Sequence, residues 1–156
     1  ENANCSPYVR VAYPDTIYIR RALDLGAKGI IIPMVNTYET AKKCIDACYY
    51  PPEGNRGVGF CPANMYGKNF NDYISTINSD LKVVIQIEHI SAVDELDTIL
   101  KRPGIDAIML GPYDLSASLN KVGQFNDPEY IAIKNKIFAL DEENKCLTQK
   151  ELINNI

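Results

Sequence analysis

Strand-like and helix-like stretches alternate four times along this chain, and that alternation restricts the fold more than any other feature. Residues 7–12 (PYVRVA) suit a short strand. Asp15 then offers an N-cap for TIYIRRALDLGA, whose apolar residues recur at helical spacing before Gly26 closes the helix. GIIIP at 29–33 is the second strand, and Asn36 with Glu39 forms a capping pair for a helix carrying Ala41, Cys44, Ile45 and Cys48. A long loop, 49–59, and a short helix from Asn69 to Ile74 lead to the third strand, 81–87. Ser91 is expected to cap the helix that ends near Leu100. The fourth strand is 105–110, and Asp127-Pro128 precedes a helix to about Leu140. Strand, helix, strand in this order implies parallel strands joined by right-handed crossovers, hence an α/β sheet or part of a (β/α) barrel.

Parallel strands gather their ligand sites at one end, where the loops after the carboxyl ends form a cleft. Arg10, Glu88 and Asp114 occupy such ends. The segment VVIQIEHI reads as a fully buried strand until Glu88, and an ionised carboxylate at that place needs a partner. Asp114 follows the fourth strand by one GPYD turn, so the two carboxylates are expected to converge. Close anions destabilise each other unless a cation lies between them. So few hard oxygen ligands suit Mg²⁺ or Mn²⁺. Arg10 would face an anionic substrate, since its planar fork matches a carboxylate. On pattern alone a plainer assignment competes, with Asp114 as a helix N-cap and Glu88 paired to a surface Lys.

Composition removes several function classes. The chain has 156 residues, 46% hydrophobic and 23% charged, enough for one globular domain with a real core. A net charge of -4, with Lys and Arg scattered singly, argues against nucleic acid as a partner. No apolar run approaches the roughly 20 residues of a membrane span. Residue 1 is not Met, so a processed or missing leader stays open. Five cysteines without a CxxC do not make a complete disulfide framework, which points to a reducing, cytoplasmic setting. Cys44 and Cys48 are expected in the core rather than on a metal. NRGVGF at 55–60 lacks the Lys-Ser/Thr of a phosphate loop and is expected to be a structured loop near the site mouth. His89 is expected to serve packing or the surface, because strand register turns it away from the face of its neighbour.

The strings PYVRVAYPD, YIRRALDLGAKGIIIPMVNTYETA, YYPPEGNRGVG, VVIQIEHI and GIDAIMLGPYDLSASL together resemble the HpcH/HpaI aldolase and citrate lyase family, over about residues 6–140. The resemblance implies a partial TIM (β/α)8 barrel of about four parallel βα units, the third to sixth of the family barrel. Residues 1–156 would form a single partial barrel domain, with 141–156 a divergent charged helical tail in which Thr148 and Glu151 form a capping pair. It implies a divalent metal, Mg²⁺ or Mn²⁺ with Co²⁺ as a further option, held by Glu88 and Asp114. Arg10 would be catalytic and would contact the pyruvate oxygen, and Gln86, Gly111 and Pro112 would join it in substrate binding. The implied reaction is the reversible cleavage of a 4-hydroxy-2-oxoacid to pyruvate and an aldehyde through a metal-stabilised enolate, in a homo-oligomer.

The resemblance also marks departures. Pro62 stands where the family often has an arginine, which leaves Asn64 and Tyr66 as the residues to line the aldehyde side. The family's Asp and His pair for proton transfer, on its second strand, has no counterpart upstream of Tyr8, and strands 1, 2, 7 and 8 are not matched. Two alternatives therefore stand beside an aldolase: a noncatalytic fragment or pseudoenzyme that retains metal or oxoacid binding, and a small flavodoxin-like ligand-binding domain. The last would require a strand order different from that of a barrel arc.

Overall fold

The computed structural model describes residues 5–144. Four strands, β1 (Tyr8–Arg10), β2 (Gly29–Ile32), β3 (Lys82–Ile87) and β4 (Ala107–Leu110), form one sheet in the order β1-β2-β3-β4, every neighbouring pair parallel. Sequential order without a switch point is the arc of a barrel, so the flavodoxin-like alternative is set aside. The chain is an α/β partial barrel.

Helices α1 (Thr16–Asp24), α2 (Tyr38–Cys48), α3 (Phe70–Asp80) and α4 (Ile90–Leu100) occupy the connections between strands, and α5 (Pro112–Ser118) and α6 (Pro128–Asn144) follow β4. The period of two along the strands sorts the side chains. Ile30, Ile32, Val83, Ile85, Ile87 and Ile108 join the main core with Ile19, Leu23, Cys44, Ile45, Cys48, Leu96 and Ile99 of the helices. The alternate positions form a second, smaller cluster in which Tyr8, Ile31 and Met109 pack on Val84 and Ala107. Arg10 and Gln86 belong to this second set by strand alternation, Arg10 lying opposite Ile31, which in turn lies opposite Val84.

Several expected boundaries shift for local reasons. Asp15 caps α1 as expected, accepting from the Ile17 N–H at 2.8 Å. For α2 the cap is Thr37, which accepts from the Thr40 N–H, rather than Asn36 with Glu39, and Glu95 of α4 accepts from the Tyr38 N–H. For α4 the cap is His89 rather than Ser91, its Nδ1 accepting from the Ser91 N–H. The helix expected over 69–74 runs on to Asp80. The tail expected from 141 begins inside α6, while Thr148 and Glu151 lie outside the described residues. Among the described residues no helix is long and apolar enough to cross a membrane.

Candidate functional site

At the carboxyl ends of the strands lies a cleft of about 340 Å³, lined by Arg10, Met34, Asn36, Glu88, His89, Asp114, Ala117 and Ser118. The three charged residues singled out at strand ends, Arg10, Glu88 and Asp114, therefore share one cleft. Each arrives from a different element. Arg10 ends β1, Glu88 directly follows β3, and Asp114 is in the first turn of α5. Asp114 is thus inside the helix, and Gly111 holds the N-cap position without a side-chain bond.

Glu88 is only 4% exposed. Its two oxygens are held by different donors: the Met34 N–H gives to Oε1 at 2.6 Å and Gln86 Nε2 gives to Oε2 at 2.5 Å. The Met34 bond depends on an unusual backbone, because Met34 has φ of 52°, a left-handed conformation that residues with a Cβ seldom adopt. Gln86 is held in turn by Arg10, whose Nε donates to Gln86 Oε1 at 2.9 Å. Gln86 lies between Arg10 and Glu88, bonded to both, and is not among the residues that line the cleft. Sequence reasoning placed these three residues at one site without finding the bonds that join them. The Arg10–Gln86 bond crosses 76 residues of chain, which no local pattern encodes, whereas Gln86 and Glu88 stand only two residues apart.

Gly111 fits this packing through size. A Cβ there would lie 2.7 Å from Glu88 Cβ and 2.9 Å from both Gln86 Nε2 and Glu88 Oε2. Gly111 is held against β3 by its N–H, which donates to the Ile87 carbonyl. The absence of a side chain lets the β4–α5 turn close over the glutamate. Pro112 then starts α5 at a position where its missing N–H costs nothing.

The electrostatics fit a cation. Burial pushes the Glu88 carboxyl above the ordinary carboxylate range; the Met34 N–H opposes that shift, Asp114 adds to it, and Arg10 pulls against it. Among the described residues neither Glu88 nor Asp114 is ion-paired to a Lys or Arg, so the plainer assignment of Glu88 to a surface Lys does not hold. Two hard carboxylates with open space beside them match Mg²⁺ or Mn²⁺, which keep water and substrate in their remaining places. No group of three or more His, Cys, Asp or Glu side chains suited to a metal is found among the described residues.

His89 is exposed and caps α4, the structural and surface role expected of it, and it lines the cleft as well. Other expectations turn out differently. Asn64 is fully buried, its Oδ1 accepting from the Cys61 and Gly67 N–H groups and its Nδ2 donating to the Gly59 carbonyl, so it builds its own turn instead of lining the site. Tyr66 is exposed and outside the cleft wall. Arg56 of NRGVGF is buried on Asp24 and lies outside that wall too. Met34, Asn36 and Ser118 line the cleft without having been singled out. The left-handed Met34 is the least legible of these, since neither Gly nor Asn marks it.

A family model described as HpcH/HpaI aldolase/citrate lyase matches residues 1–151. The chain is 38% identical over 130 residues to a hydroxypyruvate/pyruvate aldolase of Roseobacter denitrificans, covering 83% of this chain and 51% of that protein. It is 41% identical over 119 residues to a 4-hydroxy-2-oxovalerate aldolase of Novosphingobium aromaticivorans, covering 76% and 45%. In structure it resembles an HpcH/HpaI aldolase/citrate lyase family protein from Burkholderia cenocepacia, with a TM-score of 0.85 and 31% identity over 92% of this chain and 57% of the other. The chain spans about half the length of the curated relatives it matches.

Proposed function

Because the chain belongs to the HpcH/HpaI aldolase/citrate lyase family, we propose that its cleft binds a divalent cation and pyruvate, as the working half of an aldolase that reversibly cleaves 4-hydroxy-2-oxoacids to pyruvate and an aldehyde. The observation that carries this reading is the convergence of buried Glu88 and exposed Asp114 in one cleft, with no basic side chain ion-paired to either among the described residues. Glu88 and Asp114 would hold Mg²⁺ or Mn²⁺, with Co²⁺ as a third candidate. When bound, the metal supplies Lewis-acid polarisation of the oxoacid carbonyl.

The chain's own residues supply the rest. Arg10 is exposed at the cleft, and its Nε is committed to Gln86, which leaves the two Nη groups to face the developing negative charge on the keto oxygen. Gly111 and Pro112 open α5 beside Glu88; because the Gly111 N–H is given to Ile87 and Pro112 has none, the oxoacid carboxylate would be received by the main-chain N–H groups that follow them in the first turn of α5. The aldehyde would enter from the side of Met34, Asn36 and His89, which line the cleft. A homo-oligomer in a cytoplasmic setting agrees with this reading.

The test is Mn²⁺ titration by calorimetry and by the electron spin resonance of free Mn²⁺. Glu88→Gln and Asp114→Asn are each expected to weaken binding by about tenfold or more, since each removes a charged hard ligand. Asp94→Asn, an exposed site on α4, should leave it unchanged. Equal affinity in all four proteins would remove the cation from this cleft.

A further inference from the structure

Read from the sequence, Arg10 and the two carboxylates are independent parts, one for substrate and two for a cation. The hydrogen bonds join them. Arg10 Nε donates to Gln86 Oε1 at 2.9 Å, and that bond decides which way the Gln86 amide faces: its oxygen toward Arg10 and its NH₂ toward Glu88, where Nε2 meets Oε2 at 2.5 Å. Gln86 is only 8% exposed and Gly111 packs against its Nε2, so the amide has little room to turn. An amide rotated by half a turn would set its oxygen against the Glu88 carboxylate and its NH₂ against a guanidinium, two repulsive contacts in place of two attractive ones.

We propose that Gln86 is a positioning residue that couples Arg10 to Glu88, so that the arginine which faces the oxoacid also fixes the carboxylate offered to the cation. This rests on the cation reading given above. Met34 pins Oε1 from the other side, so the pair of donors sets the carboxylate plane and leaves its remaining lone pairs for the metal. Coupling of this kind is reciprocal: whatever holds Arg10 still steadies Glu88, and a cation on Glu88 steadies Arg10. A chain that merely placed a positive charge near the site would need neither the Nε bond nor the amide.

The test is a double-mutant cycle read as Mn²⁺ affinity, with Arg10→Lys, Gln86→Met and the double variant. Lysine keeps the charge and loses the Nε–H; methionine keeps the length and apolar bulk and loses the amide. Gln86→Met should weaken Mn²⁺ binding about tenfold, the order expected for a hydrogen bond to a charged group. Arg10→Lys should weaken it several-fold in the wild-type background and leave it unchanged in the Gln86→Met background, because its effect travels through the amide. Gln86→Asn, too short to span both partners, should behave as Gln86→Met does and guards against a folding defect peculiar to methionine. A second readout needs no metal: the Gln86 side-chain amide should give a displaced, slowly exchanging proton resonance that moves to the ordinary amide position in Arg10→Lys. Full additivity in the cycle, or an amide resonance unmoved by Arg10→Lys, overturns the coupling while leaving the cation reading intact. Failure of the wild-type chain to bind Mn²⁺ at all refutes the cation reading, and this proposal with it.

Discussion

Two donors converge on the Glu88 carboxylate, yet its pKa lies above the ordinary value near 4.5, with burial the largest cause and the facing Asp114 adding to it. An acid whose folded pKa is raised binds its proton more tightly in the folded state. Stability then falls as pH rises from the unfolded value through the folded one, and the penalty is complete above that window. Ionised Glu88 therefore weakens the metal-free fold at neutral pH, and a bound cation would relieve that. Thermal unfolding against pH should show the wild-type chain losing stability relative to Glu88→Gln as pH rises above about 4.5. Below that value the difference should be constant, and Mn²⁺ should raise the wild-type midpoint more than that of Glu88→Gln. Parallel profiles for the two proteins across the whole range would show that Glu88 carries no such shift. A single buried residue would thus trade stability for ligand binding, a pattern common where sites depart from local folding rules.

At the scale of elements, what was legible in the sequence is what periodicity encodes. The four strands and the helices between them follow from runs such as GIII and VVIQI and from 3.6-residue spacing, and Asp15 announces its helix. The 3₁₀ segment Pro62–Gly67 was not legible, because Met65 and Tyr66 both adopt left-handed φ near 54° without a Gly or Asn to signal it, and the turn is enforced instead by buried Asn64. Nor was α5, whose seven residues, begun by Pro112 directly after Gly111, are too few to show a period. Arg56 shows a third kind of blindness. Its side chain is wholly buried, donating to Asp24 at 2.8 Å and to the Tyr73 hydroxyl at 3.3 Å, with its guanidinium 4.5 Å from the Tyr50 ring centre. It thereby ties the 49–59 segment to α1 and α3. Among the described residues its Nε and Nη1 have no hydrogen-bond partner, and Asp24 is partly exposed and can rehydrate. Arg56→Met should therefore cost about 1–2 kcal/mol, because it removes an incompletely satisfied charge and keeps the apolar stem. Arg56→Lys should cost about 3 kcal/mol or more, since a compact ammonium can neither stack on Tyr50 nor reach both partners. Urea unfolding of the two variants decides it; a methionine variant as unstable as the lysine one would show that the ion pair dominates.

At the scale of the whole molecule, the sheet order β1-β2-β3-β4 and the half-length coverage of its relatives describe an arc of a barrel, and among the described residues the cleft at its rim holds charge but few groups placed to move protons. Both carboxylates in the cleft are claimed by the cation reading. His89 is engaged by the α4 cap, its Nδ1 accepting the Ser91 N–H. None of the other lining residues, Met34, Asn36, Ala117, Ser118 and Arg10, is a base near neutral pH. The resemblance assigns proton transfer to an Asp and His pair on a strand that precedes β1 in the family barrel. These residues should therefore bind metal and pyruvate better than they turn them over. The measurement is exchange of pyruvate methyl protons into deuterated water, with Mn²⁺ or with chelator. General acid–base help is commonly worth about 10² to 10⁴ in rate, so slow metal-dependent exchange is expected from this chain. A version preceded by the first two βα units of a relative should be faster by a factor of that order, and chelator should abolish exchange in both. The extended version also covers the β1 edge, so Mn²⁺ affinity must be measured on each protein to separate a gained base from a better-folded site. Equal affinity with faster exchange would assign the gain to the base, whereas full-speed exchange by the unextended chain would mean that a group already in this cleft takes the proton.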